Sequence, residues 1–228
     1  MWGRYLKGII LVGENHMEKV KKMYQKAYDK YGNSLDSILF PKGRQDLRFK
    51  SLCRCIDQSN RSTLLDYGCG LGHLYYFLNE NFPKIRYFGA DIVDEFILEN
   101  KKNINDEQFF LIQSEKDIDC SFDYIVSAGV FNLLYVESKD EHKSIVYNIL
   151  QSLFKKANIA LSVNFMSDEV DFQQDGAFHI NINELLNFSK SNLTKRLIVD
   201  QSYMPYEFTM TLFKDANIIS PENIYNEK

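Results

Sequence analysis

Leu64 to His73 reads LLDYGCGLGH: two leucines, an acid, and glycines at 68, 70 and 72. An apolar run that ends in an acid and passes into alternate glycines reads as a strand, a tight turn and the start of a helix. Glycine admits positive φ and lets a ligand lie against the peptide planes, because no Cβ stands in the way. The register then discriminates between ligands. A dinucleotide turn has the form G-x-G-x-x-G, with a pyrophosphate over the helix N-terminus. Counted from Gly68, its third glycine would fall at position 73, which is His73. The stretch instead reads D-x-G-x-G-x-G. Asp66 would repel a pyrophosphate and would attract a cation or an amino group.

Outward from this turn, short apolar runs alternate with longer mixed segments. Strands are expected over 63–66, 86–91, 108–113, 122–127 and 159–165, with helices over 72–81, 94–103 and 139–156. Such alternation predicts βαβ units and a parallel sheet covered on both faces. Residues 196–201 and 207–214 form two further extended runs joined by SYMPYE, which predicts an antiparallel hairpin at or within the sheet edge. The fold expected is α/β: a mostly parallel, seven-stranded, doubly wound sheet with helices on both faces, a C-terminal antiparallel hairpin strand and an N-terminal helical extension. Within that extension, residues 14–31 carry apolar side chains at helical spacing, stopped by Gly32-Asn33. Pro41-Lys42-Gly43 marks a turn, and Leu47, Leu52, Cys55 and Ile56 suggest a second helix ending near Asn60. Residues 1–60 are therefore read as a helical extension or lid, and 61–228 as the ligand-binding unit.

Bulk properties narrow the function. With 228 residues, 45% of them hydrophobic and 25% charged, the chain has the composition of an ordinary globular protein, so disorder is not the default. A formal net charge of −4 gives no global reason to expect nucleic acid or an anionic membrane as partner. Local basic residues remain at Lys42, Arg44 and Arg48. The early apolar run, Ile9 to Val12, is too short for a signal peptide or a membrane span, which points to the cytoplasm. Cys53, Cys55, Cys69 and Cys120 are few and irregularly spaced, which suits reduced thiols. Cys53 and Cys55 lack a second cluster, so no metal is expected.

LLDYGCGLG resembles motif I of the class I (Rossmann-like) S-adenosylmethionine-dependent methyltransferases. YFGADIVDEFI resembles the family's second strand ending in an acid. The resemblance implies a methyl donor, S-adenosylmethionine, and a product, S-adenosylhomocysteine, held by Asp66, Gly68, Cys69 and Gly70 at the turn and by Asp91 and Ile92 beyond the second strand. Asp91 would take both ribose hydroxyls, since a carboxylate accepts two hydrogen bonds from a cis-diol in one geometry. FFLIQSEKDI resembles the third strand and the loop bordering adenine, which brings in Ser114 and Glu115. FDYIVSAGVFNLL resembles motif IV, with Ser127 and Ala128 opening the loop below the transferable methyl group. PKGRQDLRFKSL resembles a segment of bacterial methyltransferases in which Gln45 and Arg48 would reach the donor's carboxylate. Aromatic residues Tyr5, Tyr24, Tyr28 and Tyr31 could close over the donor as a lid.

The acceptor side is read from the loops at the carboxyl edge. His179 is a candidate base, and Tyr206 and Glu207, with Tyr203, are candidate walls of the acceptor pocket. VNFMSDEVDFQQDGAFHIN and MPYEFTMTLF are similar to a little-characterised bacterial group associated with surface-polysaccharide and small-molecule modification. That likeness implies a small-molecule acceptor: an oxygen of a sugar, of a nucleotide-linked sugar, or of a phosphate or phosphoramidate in capsule or lipopolysaccharide assembly. The alternative is a non-catalytic protein that binds the donor or its product and acts through partners. Oligomeric state stays open.

Overall fold

The computed structural model describes residues 16–39 and 44–214. The turn expected at residues 41–43, the run Ile9 to Val12, and Tyr5 and Lys42 lie outside the described residues. The described residues form one sheet of eight strands: β1 (Ser62–Tyr67), β2 (Ile85–Asp91), β3 (Phe109–Leu111), β4 (Phe122–Ser127), β5 (Ala157–Ser167), β6 (His179–Ile180), β7 (Leu197–Asp200) and β8 (Glu207–Phe213). Their order is β3-β2-β1-β4-β5-β8-β7, with β6 paired to β5 off this path. Six helices accompany them among the described residues: α1 (His16–Tyr31), α2 (Gln45–Leu52), α3 (His73–Asn81), α4 (Asp94–Asn103), α5 (Lys139–Lys156) and α6 (Ile182–Asn192).

The eighth strand corrects the expected seven. β5 runs past Phe165 to Ser167, and the insert after it doubles back so that His179 and Ile180 pair with Met166 and Ser167. Two residues show no alternation, so no period could announce them. The hairpin strand β8 lies inside the sheet, antiparallel to β5 on one side and to β7 on the other. Its Phe208, Met210 and Leu212 are buried on one face. The intervening threonines are buried too, and Thr211 shares a 2.9 Å hydrogen bond with Ser162 of β5.

The paired leucines of β1, Leu64 and Leu65, are both explained by the core. Successive strand residues point to opposite faces. Leu64 packs with Phe49, Leu52, Leu74 and Leu78, whereas Leu65 joins Val146, Leu150 and Leu153 of α5. A strand covered on both faces needs apolar side chains at consecutive positions, which is why β1 does not alternate. α5 is capped by Ser138, which accepts from the Glu141 amide, and ends in Lys155 and Lys156 beside its exposed carbonyls. α6 was not foreseen, yet Asn181 accepts from the Glu184 amide at 3.1 Å. The pattern Asn-x-x-Glu ahead of two leucines is a helix start by the usual signature.

α1 stops as expected: Gly32 has φ +61° and donates its amide to Tyr28 at 2.7 Å. Its exposed-looking charge pattern is a docking seam on α4. Lys21 pairs with Asp94, Gln25 donates to Glu95 at 3.1 Å, and Tyr28 donates to Glu99 at 3.1 Å. α2 ends at Leu52, well before Asn60. Cys55 and Ile56 keep the apolar spacing without an α-helix: beyond Leu52 the chain runs on in tight turns, in which Arg54 donates to the Ser51 carbonyl and Ile56 to that of Cys53. No described helix is long and apolar enough to cross a membrane.

Candidate functional site

The strand order reverses between β1 and β4, and a crevice opens beyond their carboxyl ends, the place where open α/β sheets bind ligands. The glycine turn forms its rim. Gly68 and Cys69 both donate to the Ala90 carbonyl, at 2.7 and 3.1 Å, which stitches the turn to the end of β2. Gly68 and Gly70 have φ of +78° and +51°, where side chains are strained. A Cβ on Gly68 would stand 2.1 Å from Cγ2 of Val130, so this glycine lets the loop after β4 pack directly on the turn.

Asp91 closes the rim from the other side. Its Oδ2 accepts from the Gly70 amide at 2.8 Å and its Oδ1 from the Val93 amide at 3.0 Å. Each oxygen keeps capacity for a second donor. Burial raises the Asp91 pKa, and the backbone amides of Gly70, Val93 and Ile92 oppose that rise. Asp66 is 3% exposed and accepts from the Tyr87 hydroxyl at 3.0 Å. Burial pushes its pKa up to about 7, the Tyr87 bond works against the shift, and the charge of Asp91 adds to it.

Both carboxylates line a cavity of about 990 Å³, its open mouth included. Gly68, Cys69, Gly70 and His73 contribute from the turn, Ile92 from the end of β2, and Ala128, Gly129, Val130 and Leu133 from the loop after β4. Gln45 and Phe49 reach in from α2, one helical turn apart. Met17, Val20 and Tyr24 of α1 form the outer wall, with Ile38 behind them. The Tyr24 ring meets Phe96 edge-on at 6.0 Å, and its hydroxyl is held protonated by burial and by the charge of Asp91. Burial lowers the pKa of His73, which favours its neutral form.

Other candidates lie elsewhere. Arg48 points from α2 toward the sheet and forms a buried bidentate ion pair with Glu207 of β8. Asn164 supports the pair by donating to Glu207 at 3.1 Å and to Tyr203 at 2.8 Å. Neither charged residue is among those that line the cavity. Truncating one partner of such a pair strands the other charge, at a cost of about 3–5 kcal/mol. An Arg48→Ala variant should show that loss in urea unfolding, whereas Arg48→Met with Glu207→Leu should recover most of it. A loss under about 1 kcal/mol for the single variant would contradict the structural role.

His179 is buried with both ring nitrogens engaged: Nδ1–H donates to the Ser167 carbonyl at 2.7 Å, and Nε2 accepts from the Gln174 amide at 3.3 Å. These two bonds pin the insert to β5, and His179 is not among the residues that line the cavity. The Tyr206 hydroxyl accepts from Arg44 at 2.7 Å, also away from the cavity. Ser127 donates to the Tyr67 carbonyl at 2.9 Å and acts within the sheet. Ser114 caps a short 3₁₀ turn through the Lys116 amide, and Ile112 lines the cavity in place of Ser114 and Glu115. Cavity-lining residues outside the expected site include Phe49 of α2 and Tyr135. An aromatic residue looks the same in sequence whether it packs in a core or lines a cavity, so nothing singles them out.

Residues 58–200 match the model of a family described as methyltransferase domain. Over 169 residues the chain is 24% identical to the Mycobacterium tuberculosis protein named "Putative methyltransferase Rv1506c", a match covering 71% of this chain and 98% of that one. Among solved structures it is similar to magnesium protoporphyrin IX methyltransferase from Synechocystis PCC 6803 with bound SAM, with a TM-score of 0.61 at 12% identity, covering 90% of this chain and 100% of that one. It is also similar to human N-acetylserotonin methyltransferase in complex with SAM, with a TM-score of 0.63 at 13% identity, covering 93% of this chain and 62% of that one. At these identities the two structures speak for the fold.

Proposed function

The chain belongs to the methyltransferase-domain family, and on that footing we propose how its cavity serves a class I enzyme that transfers the methyl group of S-adenosylmethionine (SAM). The observation that carries the reading is the pair of carboxylates, Asp66 and Asp91, flanking one glycine turn and opening into one cavity. Asp66 receives the α-ammonium of the donor's amino-acid end. Asp91 takes the ribose hydroxyls with the acceptor capacity left by Gly70 and Val93. Gln45 and His73, which both line the cavity, hold the carboxylate in place of Arg48. Ala128, Gly129 and Val130 lie beneath the methyl group, and α1 closes the outer side as a lid. S-adenosylhomocysteine (SAH) is the product.

Methyl transfer is an in-line displacement at carbon with the sulfonium as leaving group. The protein's part is to align donor and acceptor and to exclude water, effects worth up to ~7–11 kcal/mol. The acceptor we favour is a small molecule with a neutral hydroxyl, such as a sugar or nucleotide-linked sugar of capsule or lipopolysaccharide assembly. A phosphate or phosphoramidate oxygen of the same assembly is the other candidate acceptor. Calorimetry with SAM and SAH tests the donor, and incubation with pools of sugars and nucleotide sugars, read by the mass gain of one methyl group, tests the acceptor. Absence of binding by either nucleoside would overturn the reading.

The pKa of Asp66 adds a quantitative expectation. In the free protein this carboxyl titrates at about 7. A bound ammonium favours the ionised form and so lowers that value in the complex. Affinity for SAH should therefore rise with pH across the interval between the two, by at most about tenfold per pH unit, and level off above about 7. Proton release on binding, read in buffers of different ionisation enthalpy, should accompany the rise. Asp66→Asn should bind weakly with a flat profile over this interval; a slope surviving in that variant would move the effect to another group.

A further inference from the structure

Asn100 is a buried polar residue behind the cavity, not among those that line it, whose side chain bonds to the glycine turn. It is 2% exposed on α4, and its Nδ2 donates to the Gly70 carbonyl at 2.7 Å. Its Oδ1 would stand 2.9 Å from a Cβ built on Gly72, so the amide is wedged against the turn at two of the three glycines. The other end of Gly70 is held by Asp91, which accepts its amide. The two bonds act on different peptide planes, Cys69–Gly70 and Gly70–Leu71, and between them fix both φ and ψ of a residue with no Cβ to restrict it. A planar trans peptide carries its N–H opposite its carbonyl, so the Asn100 bond also sets the direction of the Leu71 N–H.

We propose that Asn100 is a positioning residue for the donor: it pre-orders Gly70 in its left-handed conformation, so that SAM meets a turn already shaped to it. This rests on the reading of the cavity as a SAM site. Fixing a backbone residue opposes its conformational entropy, and glycine has the most to lose. Where the free protein has met that cost, binding does not have to, and affinity rises. The same helix supports the outer wall. One turn before Asn100, Phe96 is 2% exposed and takes the Tyr24 and Tyr28 rings edge-on at 6.0 and 5.8 Å. α4 thus backs both the glycine turn and the lid.

Calorimetry with SAH on the wild type, Asn100→Ala and Asn100→Thr tests the assignment, at a temperature where thermal melts show each protein fully folded. Thr is close to Asn in size and too short to reach Gly70, so it serves if the alanine variant does not fold. The expected result is a Kd for SAH raised at least fivefold, with faster hydrogen exchange at the Gly70 amide in the free variant. A merely structural role lowers the melting temperature and leaves the Kd of the folded protein in place; a rise smaller than fivefold overturns the proposal. Failure of the wild type to bind SAH would instead strike the SAM reading, so the two failures are distinct.

Discussion

A Gly70→Val variant should remain folded and lose at least ~100-fold in SAH affinity, equivalent to about 2.7 kcal/mol. The backbone is the first cause. Gly70 has φ +51°, and a left-handed residue bearing a Cβ costs roughly 1–2 kcal/mol, more for a β-branched side chain. Sterics are the second. The Cβ would lie 3.1 Å from Cγ2 of Ile38, and the added methyl groups must go toward Ile38 or into the cavity that both residues line. Ile38 packs in a small cluster with Leu71, Val93 and Phe96, apart from the two large cores, so it can yield without unfolding the domain. The strain is a modest share of the ~5–15 kcal/mol of an ordinary domain, which is why the fold should survive. Gly70→Ala separates the causes, since it carries the backbone strain with little of the bulk and should lose less. Calorimetry alongside thermal melts reads both; a valine variant that binds SAH within threefold of wild type would remove the close-approach argument.

The parts of this site that could be read in the sequence are those where chemistry dictates residue type. Only glycine tolerates the backbone of positions 68 and 70 at low cost, and an acid at 66 and 91 suits the ammonium and the diol we propose there. Their register alone separated one class of nucleoside ligand from another. Arg48 and Glu207 are the opposite case. Each is 4% exposed and its ionic partner lies 159 positions away, so no local pattern announces the pair. His179 is a related case: its partners are main-chain groups of Ser167 and Gln174, which no side-chain pattern announces. For the fold, runs buried on both faces, such as β1 and β4, stood out. β6 depends on tertiary pairing and the end of α2 on the turn bonds that follow Leu52, and local periodicity carries neither.

Asp91→Ala should weaken SAH binding by at least ~100-fold, because two hydrogen bonds to an ionised carboxylate contribute about 1.5–3 kcal/mol each. The substitution does more than remove a ligand contact. It also releases the amides of Gly70 and Val93, so part of the loss would arise from a loosened turn. A second ligand divides the two parts. Against wild type, 2′-deoxy-SAH should bind clearly more weakly than SAH; against Asp91→Ala the two should bind alike, since the partner of the missing hydroxyl is already gone. Equal penalties in both proteins would show that Asp91 acts on the turn alone and that the ribose is held elsewhere. The pH profile supplies an independent sign. The charge of Asp91 helps to raise the Asp66 pKa, so its removal should move the rise of affinity with pH to lower values. A ligand bound through Asp66 would then reach its plateau earlier in the variant than in the wild type, although its affinity there is far weaker.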